Sequence, residues 1–112
     1  MEIVEQQSGE ITIVEIKGRM DSVTATAFDQ RLTSLIRAGR ARLIIDFKNI
    51  IYISSAGFRS LLVAAKLAET TKGTLALCSL SAEVQRLFDL GAFTDLFVIY
   101  SSREEGLSKL SS

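Results

Sequence analysis

Two adjacent serines, Ser54 and Ser55, are the residues of this chain whose type and position best suit them for chemistry. They follow the apolar residues 50–53, and a pattern typical of a helix begins directly after them. The first turn of a helix leaves about four backbone N–H groups unpaired and carries partial positive charge, so it favours both a serine cap and a phosphate. Two interpretations follow. Either both serines only start the helix, or Ser55 is a phosphoacceptor or a nucleophile.

A nucleophilic serine is disfavoured because the chain lacks the groups that would activate it. The sequence contains no histidine, which excludes a Ser-His-Asp triad and any histidine metal ligand. Phe58 stands where a Ser-x-x-Lys motif starting at Ser55 would need its lysine. A glycine-rich nucleotide-binding loop is also missing. We therefore expect no enzyme activity, no metal site and no cofactor, whereas phosphorylation by an external kinase requires none of these groups.

Three neighbours of the serine pair, Gly57, Phe58 and Arg59, extend the candidate site. Glycine in a first helical turn costs up to about 1 kcal/mol of helix propensity, so Gly57 indicates either close approach by another molecule or close packing of the helix on a sheet. A bulky apolar residue beside a cation suits a contact surface, although Phe58 fits a core position equally well.

Two aspartates are further candidates. Asp21, or Ser22 beside it, is placed to cap the first long helix. Asp46 follows the apolar residues 43–45, where a parallel strand would end and where ligands gather in open α/β sheets. A structural hydrogen bond is the simpler role for Asp46.

Composition narrows the class of protein. The 112 residues suit one domain, and thirteen basic and thirteen acidic residues cancel, which disfavours nucleic acid or an anionic membrane as partner. The single cysteine, Cys78, lies in an apolar run and is typical of a buried structural thiol. No signal peptide pattern and no apolar segment approaching 20 residues is present, so we expect a cytoplasmic protein.

Hydrophobic periodicity and turn residues predict the element order β-β-α-β-α-β-α-β-α. A hairpin of strands 2–7 and 11–17 is ended by residues 18–22. An amphipathic helix follows, with Val23 and Phe28 on its apolar face and Gly39 at its end. The remaining elements are a strand at 43–47, a helix at about 55–71, a strand at 74–78, a helix between Ser81 and Gly91, a strand at 97–100 and a short helix at 103–110. This alternation predicts an α/β fold with a mostly parallel central sheet and an N-terminal antiparallel hairpin.

Three segments carry a resemblance to a known family. Residues 18–21, Gly-Arg-Met-Asp, resemble the Gly-x-Leu/Met-Asp motif that precedes the first long helix of the STAS domain. Residues 43–57 resemble its central strand, loop and phosphorylation motif, usually Asp-Ser-[Ser/Thr/Ala]-Gly, and residues 80–88 are similar to its third helix. Over residues 1–112 the chain resembles a single STAS domain of the stand-alone bacterial anti-sigma factor antagonists.

The resemblance implies partner switching. An unphosphorylated antagonist binds an anti-sigma factor that is also a serine kinase, the kinase phosphorylates the motif serine, which aligns with Ser55, and a metal-dependent serine phosphatase resets the cycle. The implied partner-binding residues are Asp21, Ser22, Ser54, Ser55, Gly57, Phe58 and Arg59. One departure is Ser54, which replaces the usual aspartate and could itself accept phosphate. The alternative function is a STAS docking subunit of a transport or lipid-trafficking complex without phosphoregulation.

Overall fold

The structure is a computed structural model that describes residues 2–40 and 42–111. Within these ranges the strands are β1 (Glu2–Ser8), β2 (Ile11–Met20), β3 (Arg42–Ile53), β4 (Thr74–Cys78) and β5 (Val98–Tyr100). The helices are α1 (Ser22–Arg37), α2 (Ser55–Thr70), α3 (Ala82–Leu90) and α4 (Arg103–Ser111), and a short 3-10 helix covers Thr94–Leu96.

The five strands form one sheet in the order β1-β2-β3-β4-β5, which is also their order along the chain. β1 pairs with β2 antiparallel, and every other neighbouring pair is parallel. The helices α1, α2 and α3 connect successive parallel strands. The predicted fold class, including the N-terminal hairpin, is confirmed.

Alternating side chains of the strands divide the core between the two faces of the sheet. The larger cluster includes Val14, Ile45 and Leu77 together with apolar residues of α1, α2 and α3. The smaller cluster consists of Ile11, Ile13, Ile44 and Cys78, and α4 covers it with Leu107 and Leu110. Three helices therefore pack on one face and α4 on the other. None of the helices in residues 2–40 and 42–111 is long and apolar enough to cross a membrane.

The two central strands are longer than the sequence predicts. β2 continues through Gly18 to Met20, and β3 runs from Arg42 to Ile53 instead of ending at Phe47. The reason is that β3 contains one extra residue at each of two irregularities in its pairing with β2. The first irregularity includes the polar Lys48 and the second leaves Ile51 unpaired, and pairing with β2 resumes after each. The expected break at residues 18–22 was wrong for residues 18–20.

Asp46 lies inside β3 at the first of these irregularities and is only 2% exposed. Its Oδ1 accepts a hydrogen bond from the backbone N–H of Lys48 at 2.9 Å, and its Oδ2 accepts one from Nε of Arg103 at 2.9 Å. Nη2 of Arg103 completes the ion pair at 2.8 Å from Oδ2. The structural role of Asp46 is therefore confirmed.

Arg103 connects the start of α4 to three strands. Besides Asp46, its guanidinium donates to Oε1 of Gln6 on β1 and to Oε1 of Glu15 on β2. Burial alone would lower the pKa of Arg103, but the hydrogen bonds and attraction from Asp46 and Glu15 raise it instead. The interaction holds the first turn of α4 against the sheet.

Cys78 is fully buried in the smaller cluster, and burial raises the pKa of its thiol to about 11. Such a thiol stays protonated at neutral pH and is unreactive. The prediction of a structural cysteine is confirmed.

We predict that Arg103→Ala lowers the free energy of unfolding by about 3 kcal/mol, because it leaves the buried carboxylate of Asp46 without its cation. Lys109→Ala, an exposed change on the same helix, serves as the matched control and should stay within about 0.5 kcal/mol of the wild type. Urea unfolding followed by circular dichroism measures both. Equal midpoints for the two variants would contradict a stabilising role for the ion pair.

Candidate functional site

The carboxyl ends of β2 and β3 bring two helix starts together. Met20 is paired with Ile53, and the backbone N–H of Ser54 donates to the carbonyl of Met20 at 2.9 Å. α1 begins two residues after Met20 and α2 two residues after Ile53. Two helix N-termini, each with partial positive charge, therefore lie side by side at one edge of the sheet.

Asp21 is the N-cap of α1, and Ser22 is the first, exposed residue of that helix. Oδ1 of Asp21 accepts hydrogen bonds from the backbone N–H groups of Val23 and Thr24, both at 3.0 Å. The hydroxyl of Thr24 accepts the backbone N–H of Asp21 at 2.9 Å, which completes a capping box. The N–H of Thr24 lowers the pKa of Asp21 more than desolvation raises it. Asp21 is therefore a charged cap.

The two serines at the start of α2 have different surroundings. Ser54 is the N-cap, with an extended backbone and an Oγ that accepts the N–H of Gly57 at 3.3 Å. Ser55 is the first residue of the helix and is exposed. Its hydroxyl makes no hydrogen bond within residues 2–40 and 42–111. The hydroxyl of Ser55 is thus available to another molecule without loss of the cap.

Gly57 is buried where α2 crosses the ends of β2 and β3. A Cβ atom at this position would lie 2.8 Å from Cγ1 of Ile53 and 2.9 Å from Cγ and Sδ of Met20. Both distances are shorter than real Cβ contacts. Close packing of helix on sheet therefore explains this glycine, and its contribution to partner binding stays a prediction.

Phe58 is a core residue, with only 6% of its surface exposed. Its ring stacks on that of Phe93 with centroids 4.4 Å apart and meets the edge of Phe88 at 4.7 Å. Of the two roles predicted for Phe58, the structure shows the core position, and a contribution of Phe58 to partner binding stays a prediction. The helical period explains the result, because Phe58 shares the inward face of α2 with Leu61 and Ala68.

Arg59 is exposed and lies one turn after Ser55 on α2. It lines a groove of about 180 Å³ between α1 and α2, together with Ser22, Asp29 and Val63. The structure thus brings two of the predicted partner-binding residues, Ser22 and Arg59, to one groove.

The exposure of two valines near the site was not predicted from the sequence. Val23, expected on the buried face of α1, is 78% exposed, and Val63 on α2 is 57% exposed. Val23 is exposed because Ala25 and Phe28 take the inward positions of that helix. The exposure of Val63 could have been predicted from the sequence, because Val63 lies eight residues after Ser55 and so shares the outward face of α2 with it. Exposed apolar side chains beside polar ones are typical of a contact surface.

A cleft of about 600 Å³ lies elsewhere, on the face of the sheet that α4 covers. Its lining includes the ion pair of Asp46 and Arg103, which is already satisfied. Within the described residues, no group of three or more His, Cys, Asp or Glu side chains is arranged to hold a metal ion.

The five-stranded sheet and the helices packed on it have the fold of a STAS-type domain. Residues 2–106 match the family model of the STAS domain, and the chain belongs to this family.

Named relatives cover most of the chain. BtrV of Bordetella bronchiseptica is 33% identical over 89 residues, which are 80% of this chain and 77% of that protein. The anti-sigma-B factor antagonist of Bacillus subtilis is 31% identical over 104 residues, 93% of this chain and 94% of that protein. Among solved structures, the Bacillus cell fate determinant SpoIIAA in its phosphorylated form has a TM-score of 0.75 at 15% identity, covering 97% of this chain and 99% of that one. This last likeness shows the fold.

We predict that Ser54→Ala and Ser55→Ala separate the cap from the exposed hydroxyl. Ser54→Ala removes the acceptor for the N–H of Gly57 and should lower the free energy of unfolding by about 1 kcal/mol. Ser55→Ala removes no hydrogen bond within the described residues and should change it by less than about 0.5 kcal/mol. Urea midpoints measured in parallel test the pair, and the reverse order would show that Ser55 is the cap.

Gly57→Ala should lower the free energy of unfolding by about 1–3 kcal/mol through overpacking, although alanine is the better helix former by about 1 kcal/mol. A double-mutant cycle with Met20→Ala identifies the cause, because removing the Met20 side chain should reduce the cost of the added methyl group. An increase in stability for Gly57→Ala alone would argue against close packing at this position.

Proposed function

We propose that this protein is an anti-sigma factor antagonist that acts by partner switching. In its unphosphorylated state it binds an anti-sigma factor with serine kinase activity, and phosphorylation of Ser55 releases it. The observation that carries the proposal is the exposed hydroxyl of Ser55 at the first position of α2, with no hydrogen bond to the described residues. The name of the Bacillus subtilis relative supports the role, and the phosphorylated SpoIIAA provides a precedent within the fold.

Phosphorylation at Ser55 is compatible with an intact fold. The Oγ of Ser54 already satisfies the N–H of Gly57, so modification of Ser55 leaves the cap in place. A phosphate adds about −1.5 to −2 charge at pH 7, and the start of a helix is a favourable position for it. Release of the partner would then arise from changed charge and fit at the surface, without unfolding.

The surface around Ser55 suits a docking role before modification. Ser22 and Arg59 provide polar groups, and the exposed Val23 and Val63 provide apolar area. The chain has no net charge, so no long-range repulsion opposes association. A phosphate would introduce a strong negative charge into this mixed surface and require a partner to desolvate it.

The proposed cycle needs no catalytic group from this chain. The kinase supplies the chemistry of phosphorylation, and a metal-dependent serine phosphatase restores the hydroxyl. Both proteins would meet this chain in the cytoplasm, and the antagonist would regulate transcription by competing with a sigma factor or another effector for the kinase.

Incubation with the anti-sigma kinase and ATP, followed by mass-spectrometric mapping, tests the proposal. We expect one phosphate on Ser55 in the wild type and in Ser54→Ala, and none in Ser55→Ala. Calorimetry should show that the phosphorylated protein binds the kinase at least about tenfold more weakly, which corresponds to about 1.4 kcal/mol. Ser54→Ala is the matched control, since it removes the neighbouring hydroxyl and keeps the proposed acceptor.

Two results would contradict the proposal. Phosphate found only on Ser54 would assign the switch to the cap residue. Binding that is unchanged by phosphorylation and by Ser55→Asp would favour the alternative, a docking subunit of a transport or lipid-trafficking complex.

A further inference from the structure

Arg59 and Ser55 are four residues apart on α2, so their side chains project from the same face of the helix. Their positions differ by about 6 Å along the helix axis. Both residues are exposed. An arginine in this position is within reach of a group attached to the Ser55 oxygen.

The guanidinium of Arg59 has no ion-pair partner or hydrogen bond among residues 2–40 and 42–111. Three arginines form ion pairs: Arg31 with Glu5, Arg42 with Glu10, and Arg103 with Asp46 and Glu15. Like Arg59, the side chains of Arg37, Arg40 and Arg86 have no such partner among the described residues, but Arg59 is the one four residues after Ser55. Asp29 lines the same groove as Arg59 but forms no ion pair with it within 4.0 Å. The cation of Arg59 is therefore free to accept an anion.

Helix stability does not explain Arg59. Cations stabilise the C-terminal end of a helix, whereas Arg59 lies near the N-terminal end, where the macrodipole disfavours positive charge. The first turn of α2 contains no acidic residue that would compensate this charge. A phosphate on Ser55 would supply the missing negative group at i,i+4 spacing.

We propose that Arg59 receives the phosphate of Ser55 and forms an intramolecular ion pair with it. This inference rests on the proposed phosphorylation of Ser55. The guanidinium presents a planar set of donors that matches phosphate oxygens and can bind two of them at once. Phosphorylation then changes the surface twice, because it adds negative charge at Ser55 and withdraws the positive charge of Arg59 from any partner.

The pairing has a consequence for the phosphate itself. A nearby cation favours the dianion, so it lowers the second pKa of phosphoserine, which is ordinarily about 6. Charged groups around Ser55 include Arg59 on α2, Asp29 across the groove, and Asp21 and Arg19 at the end of β2. The carboxylates of Asp21 and Asp29 act in the opposite direction to Arg59, and they and Arg19 remain in every variant, so a difference between variants at position 59 reports the cation of Arg59 alone.

The test uses the full chain with phosphoserine installed at position 55 by genetic encoding, and a phosphorus-31 NMR titration in about 0.1 M salt. In the wild-type background the phosphate pKa should be lower than in Arg59→Gln by at least about 0.3 unit, and Arg59→Lys should fall between them. Lys66→Gln is the control. This substitution removes an equal positive charge from an exposed position of α2. Lys66 lies about 16 Å from Ser55 along the helix axis, which is beyond the screening length of about 10 Å.

Equal phosphate pKa values in the wild type and Arg59→Gln would overturn the proposal, as would a shift of the same size in Lys66→Gln. Because the phosphate is installed without a kinase, the result is independent of the proposed function. Failure of the kinase to label Ser55 would remove the switch and leave a measured ion pair intact, whereas labelling without a pKa difference would remove only the role of Arg59.

Discussion

The parallel pairing of β2 with β3 is the interaction on which the candidate site depends. It places Met20 beside Ile53 and continues into the hydrogen bond from Ser54 to the Met20 carbonyl. The residues after these strands, Asp21 and Ser54, therefore become neighbouring helix caps. Without this pairing, the chain would have two capped helices but no shared surface between their first turns.

The pairing of β2 with β3 is irregular, and side chains along β3 form hydrogen bonds where the backbone ladder is interrupted. The two extra residues of β3 interrupt the ladder, and side chains satisfy groups near the first interruption: Asp46 accepts the N–H of Lys48, and Asn49 donates to Glu15. Bulges of this kind increase the twist of a strand and redirect its end. After them, Ile50 and Ile53 return to the larger core. The polar residues within β3 thus allow an apolar strand end on which Gly57 and α2 can pack closely.

Local features of the sequence predict most of the fold, because caps and hydrophobic periods act over a few residues. The helices α1, α2 and α3 are capped by polar residues at the positions that the sequence pattern indicates, namely Asp21, Ser54 and Ser81. The length of β3 and the burial of Phe58 depend on distant partners. The ring of Phe58 stacks on Phe93, 35 positions later, and β3 is extended by its register with β2. The residues next to Phe58 and next to β3 in the sequence therefore do not predict either contact.

Ser54 in place of the family's usual aspartate has a physical consequence for the proposed switch. The carboxylate of Asp21 caps α1 with two hydrogen bonds at 3.0 Å, whereas the hydroxyl of Ser54 caps α2 with one at 3.3 Å. An aspartate at position 54 would cap with a full charge, but that charge would lie beside Ser55 and oppose a dianionic phosphate. The serine gives up part of the charge stabilisation of the helix start and leaves its positive end available. In this chain, therefore, no negative charge at position 54 repels the proposed phosphate on Ser55 or offsets the positive charge of the helix start. The unpaired guanidinium of Arg59, one turn further on, is then available to pair with that phosphate.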